Sequence, residues 1–136
     1  MATFTKFQKF ALALTEKKHN LTSDQLQIAL TNTAPNVATA GVLTDITEIS
    51  YTNLTSRVVT TSSNTQTSGT QKLVCADLTL TASGAVATFR YAVLYNNTAT
   101  NKDLIGYWDY GVAVTMQSPE TFLVDFDGAN GVLQTA

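Results

Sequence analysis

Few residues of this 136-residue sequence have side chains suited to catalysis. General acid–base and nucleophilic catalysis usually need a His held next to a Ser or Cys nucleophile. His19 is the only His and comes where a predicted helix ends, whereas Cys75 is the only Cys and falls in an alternating strand pattern. No motif joins the two, and no glycine-rich phosphate loop is present. The sequence therefore predicts no catalytic residue and no enzyme.

The best candidate for a metal site lies near the C-terminus, at Asp125, Asp127 and Asn130. Oxygen ligands at alternate positions are typical of calcium loops. The chelating Glu that ends a full calcium loop is absent, since Ala136 stands at that position. Each of Asp127 and Asn130 precedes a Gly, and Asp-Gly and Asn-Gly are also turn sequences. We therefore predict a hairpin turn here, with no metal and no cofactor.

Large aromatic residues are concentrated in one stretch, and they could bind a ligand or a partner. They are Tyr107, Trp108 and Tyr110. Such rings could stack on a sugar, or they could fill one end of the core or a subunit interface. Arg90 lies among aromatic positions of the same stretch. It is expected to pair with a carboxylate, Asp103 or Asp109, or to lie in an interface.

Two predicted strands position these aromatic side chains. Phe89, Tyr91, Val93 and Tyr95 occupy alternate positions, so an extended strand would place all four on one face. Turn-forming residues follow at 96–98, and a second apolar run begins at Leu104. The stretch 88–111 is therefore predicted to form two strands joined by a polar loop.

The N-terminal residues 3–18 are predicted to form a helix. Thr3 suits the cap, and Phe4, Phe7 and Phe10 recur at nearly helical spacing on one side. Four Lys residues between positions 6 and 18 are assigned to its solvated face. The apolar side must be buried, either within its own subunit or against a neighbouring one.

Alternating apolar positions predict further strands at residues 25–32, 57–61, 72–82, 112–116, 121–127 and 132–135. Residues 42–49 are predicted to form a short helical turn, and the Ser- and Thr-rich residues 62–69 a mobile loop. Seven or eight strands with turn sequences about every 8–12 residues indicate an antiparallel β-sandwich. Residues 1–136 are thus one mainly β domain, with a helix at 3–18 and a β body at 24–136. Because the jelly roll recurs in viral and lectin proteins, we expect a jelly roll by analogy.

Composition excludes two classes of partner. A net charge of −2 argues against nucleic-acid binding, which needs a basic surface. No apolar run approaches the roughly 20 residues that cross a bilayer, so no membrane contact is predicted. Charged residues make up only 13% of the chain, and a surface rich in neutral polar groups is typical of virion and extracellular β domains.

Five segments, taken together, resemble a family of small virion proteins that tailed bacteriophages and prophages encode. They are DQLQIALTNTAP, LTDITEIS, FRYAVLYNNT, LIGYWDYG and ETFLVDFDGANGVL, in this order. Two loops depart from the family pattern: the expected Gly after Tyr51 is absent, and residues 118–120 contain less Gly. These differences affect contacts through the loops and leave the strands unaffected.

The resemblance implies a capsid decoration or cement protein that binds and stabilises the head shell. The implied partner is the major capsid protein or another virion protein, with self-association as a trimer. The implied location is the virion, after synthesis in the host bacterial cytoplasm. A tail-tip, baseplate or fibre protein and a glycan-binding jelly-roll module are the alternatives. The candidate interface residues are Phe4, Phe7, Phe10, Arg90, Tyr107, Trp108 and Tyr110.

Overall fold

The computed structural model describes residues 2–136. Stretches rich in β-branched and aromatic residues form its strands. The strands are β1 (Thr3–Lys6), β2 (Leu26–Thr31), β3 (Val58–Val59), β4 (Thr61–Thr67), β5 (Thr70–Cys75), β6 (Leu78–Thr81), β7 (Val86–Asn96), β8 (Leu104–Met116), β9 (Thr121–Val124) and β10 (Leu133–Thr135). Helix α1 (Gln8–Thr15) follows β1, and a 3-10 helix (Leu43–Asp45) lies in the predicted helical turn. Within residues 2–136, no helix has the length and apolar character needed to cross a membrane.

The strands form three antiparallel sheets, which confirms a mainly β fold with one α-helix. The largest has the order β1-β8-β7-β2-β3, and the smaller two are β10-β5-β4 and β6-β9. β7 and β8 form the central hairpin of the large sheet. The jelly-roll arrangement stays a prediction.

Apolar side chains from all three sheets meet in one core. Leu30 and Phe89 from the large sheet are fully buried together with Leu73, Leu80 and Val124 from the smaller sheets. A second cluster of buried residues includes Phe7, Ala29, Ala40, Ile46, Val93, Tyr95 and Leu104. Side chains of β2 and β7 contribute to both clusters, so the large sheet is buried on both faces there.

The prediction of a helix over residues 3–18 is wrong at its beginning. Thr3–Lys6 is a strand that pairs with β8, with Thr3 opposite Asp109 and Lys6 opposite Gly106. The helix begins only after Phe7, whose backbone is still extended. Backbone pairing with a distant strand has overridden the helical spacing of the Phe residues, as tertiary context often does.

Residues 62–69, predicted to be a mobile loop, belong mostly to β4 and its turn into β5. Thr67 pairs with Thr70, and the two residues between them, Ser68 and Gly69, both have positive φ. Two-residue hairpin turns favour this backbone conformation because its twist matches that of the strands. Because the side chains of β4 are polar, they do not show the alternation that predicts a strand. β4 lies at the edge of a sheet.

The strand predicted at residues 72–82 is divided in two. β5 ends at Cys75 and β6 begins at Leu78, and the Asp77 carboxylate between them accepts a 2.9 Å hydrogen bond from the Phe126 backbone N–H. Before this break the odd-numbered Cys75 is buried, whereas after it the even-numbered Leu80 is. The alternation predicts that Val74, Ala76, Leu78 and Leu80 share one face, and this prediction is therefore wrong.

Candidate assembly surface

A large bulge interrupts β8 near its middle. Tyr91 pairs with Asp109, and Phe89 pairs with Val114, so β7 advances two residues while β8 advances five. The three extra residues of β8 have no partners in β7. We call residues 110–113 the β8 bulge. Large bulges bend a strand and redirect its side chains.

Gly111 allows the chain to make this bulge. Its φ of +81° lies in the left-handed region, where a Cβ is strained. A Cβ added to Gly111 would meet no atom within 4 Å, so glycine is needed here for backbone conformation and not for space. The Gly111 N–H donates a 2.8 Å hydrogen bond to the Asp109 carboxylate, which fixes the beginning of the turn.

The bulge exposes apolar side chains. Val112 is 68% exposed, and Leu123 on the nearby strand β9 is 53% exposed. The half-buried rings of Tyr110 and Phe122, from the same two strands, meet edge to face at 4.7 Å between centroids. An open depression of about 670 Å³ is lined by Ala2, Trp108, Asp109, Tyr110, Gly111, Thr121, Phe122, Leu123 and Asp125. We define the bulge surface as Tyr110, Gly111, Val112, Ala113, Phe122 and Leu123.

Two carboxylates, those of Asp109 and Asp125, line the depression beside the bulge surface. Arg90 of β7 binds one of them, with Nε 2.8 Å and Nη2 3.1 Å from the two carboxylate oxygens of Asp109. This two-point hydrogen bond is the first cause of the lowered pKa of Asp109. The predicted pairing of Arg90 with Asp109 is confirmed, and Asp125 is the second carboxylate that lines the depression.

Three of the predicted interface residues are buried within the subunit. Phe7 is 0%, Phe10 2% and Trp108 5% exposed. Trp108 lies between two other rings, with centroid distances of 4.9 Å to Phe4 and 5.3 Å to Phe126. Their assignment as contact residues is therefore wrong, and a sugar-stacking platform built on Trp108 is not available.

The remaining aromatic candidates are only partly exposed. Phe4 and Tyr107 are half-buried, and the Tyr107 ring packs 5.3 Å from that of Phe7. Tyr110 is also half-buried, and burial raises the pKa of its phenol, with Asp125 adding to the effect. Its hydroxyl stays protonated at neutral pH and can still form hydrogen bonds at the rim of the depression. Of the predicted set, Tyr110 alone belongs to the bulge surface.

His19 takes part in a buried hydrogen-bond network far from the bulge. The Asn96 side-chain oxygen accepts hydrogen bonds from the backbone N–H groups of Thr98 and Ala99, which fixes the orientation of this amide. Its nitrogen then faces His19 Nδ1 at 3.1 Å and the Asp24 carboxylate at 2.7 Å. His19 Nδ1 must accept, so the proton is on Nε2, which is buried without a partner. This His is a structural group at the end of α1.

The hairpin turn predicted near the C-terminus is wrong as a hairpin, because β9 pairs with β6 and β10 pairs with β5. The segment is a turn that uses its carboxylates internally. Asp127 accepts hydrogen bonds from the backbone N–H groups of Ala129 and Asn130 and from the Asn130 amide. The hydrogen bond from the Asn130 amide is the first cause of the lowered pKa of Asp127. Asp125 in turn accepts from the Asp127 N–H at 3.0 Å. Among residues 2–136, no group of three or more His, Cys, Asp or Glu side chains could hold a metal ion.

Sequence patterns did not predict the bulge surface. Alternation at Val112 and Val114 predicts an ordinary strand with Val112 turned inward, whereas Val112 is the more exposed of the two. Gly111, directly after the aromatic run, indicates a bulge, because an isolated Gly in a strand often marks one. No protein-family model, curated protein or solved structure matches the chain.

Proposed function

We propose that the chain is a bacteriophage virion structural protein, a capsid decoration or cement protein that binds and stabilises the head shell. The observation that carries the proposal is the bulge surface, which presents Val112 of β8 and Leu123 of β9 to solvent. Exposed apolar groups with a polar rim are typical of interaction sites. The resemblance of five segments to virion proteins supports a virion protein as the partner of this surface.

Many weak contacts between copies of the chain and the shell together give strong binding. Complete burial of Val112 and Leu123, which are 68% and 53% exposed, contributes about 1 kcal/mol each. One such contact is too weak to hold a particle together. Copies that are linked through the shell or to one another bind with far greater avidity, because each further contact forms within an existing assembly. The partner is the major capsid protein, and the location is the virion.

A decoration protein needs a rigid binding surface and no reactive group. Edge-to-face packing of Tyr110 on Phe122, and of Phe122 on Phe89 at 5.2 Å, ties the bulge surface to the core. A preorganised surface loses little conformational entropy when a partner binds. Adhesion by a stiff β domain is therefore the activity that this geometry serves best.

Binding of the purified chain to empty head shells tests the proposal. The shells come from the phage whose genome encodes the chain, and bound protein is measured by co-sedimentation. We expect saturable binding in a fixed ratio to the capsid subunits, weakened at least tenfold by Val112→Asp. Val112→Ile, which keeps the apolar side chain, is the matched control and should bind as the wild type does.

Two results would contradict the proposal. Saturable binding to purified tails with none to shells would favour the tail-tip, baseplate or fibre alternative. Binding to neither particle would exclude a virion role. A glycan-binding module would instead retain the chain on a sugar column, in a way that Tyr107→Ala abolishes and Val112→Asp does not.

A further inference from the structure

The sheet β10-β5-β4 ends in a long strand that has a neighbour on one side only. β4 has seven residues, and its sequence TSSNTQT contains no charged residue and no Pro. A register shift lies between Thr61 and Ser63, whereas residues 63–67 pair with β5 without interruption. We call residues 63–67 the β4 edge. Charged side chains, Pro and short length are the usual means by which a protein keeps an edge strand from pairing with another chain, and the β4 edge lacks all three.

The other edge strands in the described part of the chain are short or covered. β3 has two residues and β10 has three, and the four-residue β1 ends in Lys6. β6 and β9 have four residues each. The outer side of β6 is bordered by the preceding loop, where the Thr55 N–H donates a 3.2 Å hydrogen bond to the Thr81 carbonyl. The β4 edge is therefore the exception in this domain.

Pairing with β5 determines which backbone groups of the β4 edge face outwards. Only two residues separate Thr67 from Thr70, so this pair exchanges both of its backbone hydrogen bonds. Hydrogen-bonded and non-hydrogen-bonded pairs alternate along an antiparallel ladder. Asn64 and Gln66 therefore direct their backbone N–H and C=O groups away from β5.

The opposite side of β5 agrees with this assignment. Leu73 pairs with Asn64, and its carbonyl accepts a 2.8 Å hydrogen bond from the Val132 N–H, on the side of β10. The Leu73 carbonyl thus points away from β4, as a non-hydrogen-bonded pair requires. Within residues 2–136, the outward N–H and C=O groups of Asn64 and Gln66 have no hydrogen-bond partner in any other strand or loop.

The side chains beside the β4 edge favour a second copy over a foreign peptide. A peptide that adds to a sheet edge gains specificity from pockets that accept its alternate side chains. On the outer face, the depression next to the β4 edge is lined only by polar residues, Thr65, Thr67, Thr70, Lys72 and Gln134. It offers no apolar pocket for an anchoring side chain. A second β4 edge needs no pocket, because it is uncharged and presents the same backbone groups.

We propose that the β4 edges of two copies pair antiparallel about a two-fold axis at Thr65. This register places Asn64 of each copy opposite Gln66 of the other, so all four outward groups of each edge form hydrogen bonds. The two three-stranded sheets become one sheet of six strands. Such a contact closes on itself as a dimer, whereas the resemblance implies a trimer. It uses no residue of the bulge surface, so the inference goes beyond the proposed function and does not rest on it.

Charge substitutions at Thr65 test this register. The exposed Thr65 lies opposite its own copy at the axis. In sedimentation velocity, the wild type should dimerise as its concentration rises, and Thr65→Lys should dimerise about fivefold more weakly, because like charges directly opposite are destabilising. An equimolar mixture of Thr65→Lys and Thr65→Glu should recover wild-type pairing. Thr79→Lys, which adds the same charge at an exposed position of β6, is the matched control and should dimerise as the wild type does.

Amide hydrogen exchange, followed by NMR, identifies the surface that pairs. The N–H groups of Asn64 and Gln66 are free in the monomer, whereas the Thr65 N–H is bonded to β5. Exchange at Asn64 and Gln66 should therefore slow as the concentration rises, with little change at Thr65. This alternation along one strand is not expected of a dimer that forms through another surface.

Four results would overturn the pairing. They are a wild type that is monomeric at every concentration, a dimer in which Asn64 and Gln66 exchange as fast as in the monomer, a mixture of the two Thr65 variants that pairs no better than Thr65→Lys alone, and protection of Asn64 and Gln66 that appears only when shells are added. The last result would assign the β4 edge to a strand of the capsid protein. A monomeric wild type that binds shells would leave the proposed function intact.

Discussion

At the residue scale, His19 couples stability to pH. Burial lowers the pKa of its imidazole, whereas the carboxylates of Asp103 and Asp24 raise it and the Lys18 ammonium lowers it. The net shift is downward from 6.5. As the pH falls below 6.5, the unfolded chain takes up a proton that the folded chain does not, so the free energy of unfolding decreases. Above 6.5 both states are neutral at this residue and the contribution is constant.

Replacing His19 by Phe should remove this dependence. The new ring retains the packing on Phe10, whose centroid is 5.0 Å from that of the imidazole. Between about pH 5 and 7, the wild type should lose stability relative to the variant as the pH falls, by at most about 1.4 kcal/mol per pH unit. Urea unfolding at several pH values measures the difference. Parallel curves for the two proteins would contradict the account.

Cys75 should be unreactive in the folded protein. The residue is 3% exposed, and burial raises the pKa of its thiol to about 11. The thiolate is the reactive form, and its fraction at neutral pH is about a hundredfold below that of an ordinary thiol. Labelling with a chromogenic disulfide should be slow in native buffer and rapid in urea. Rapid labelling of the native chain would mean that this part of the core opens readily.

The role of a residue could be predicted from the sequence where it depends on local chemistry. A carboxylate partner for Arg90 follows from its charge and its place among aromatic strand residues. The sequence leaves two alternatives for Phe7 and Phe10, burial within the subunit or against a neighbour, since an apolar helical stripe must be covered but does not reveal what covers it. The network around His19 joins residues more than seventy positions apart, so no local pattern records it.

At the element scale, the β8 bulge depends on the backbone of Gly111. Gly111→Ala should destabilise the fold by about 1 kcal/mol, the usual cost of forcing a Cβ into the left-handed region. Gly128→Ala is the matched control, because its Cβ would also meet no atom within 4 Å and its φ is outside that region. Thermal unfolding should therefore separate the two variants. Equal effects would show that the conformation of Gly111 is not what shapes the bulge.

Local patterns predict strands but not the positions at which the inward and outward alternation of side chains reverses. Phe89 was expected to share a face with Tyr91, Val93 and Tyr95, yet it lies in the main core with Ala92, while Val93 lies in the second cluster. The register shift between Phe89 and Tyr91 reverses the alternation. A bulge moves every following side chain to the other face, and its position is set by the partner strand.

At the scale of the whole molecule, distant pairings determine the architecture. β1 pairs with β8, placing Thr3 opposite Asp109, and β10 pairs with β5, placing Leu133 opposite Leu73. Strand alternation was sufficient to predict a mainly β domain. It could not predict which strands pair, because those choices depend on contacts between residues that lie far apart in the sequence.

A protein that bridges capsid subunits should stabilise the shell. Particles saturated with the chain are expected to release their DNA at a higher temperature than particles that lack it, because binding only to the intact shell stabilises that state. Particles incubated with Val112→Asp serve as the control and should behave as undecorated ones. Identical release temperatures for saturated and undecorated particles would contradict a cement role.

The location of the chain in the virion tests the central claim most directly. Cryo-electron microscopy of particles carrying a labelled copy should reveal density of this β domain on the outside of the head, repeated with the symmetry of the capsid lattice. Density confined to the tail, or particles that lack the chain altogether, would contradict the claim that it decorates the head.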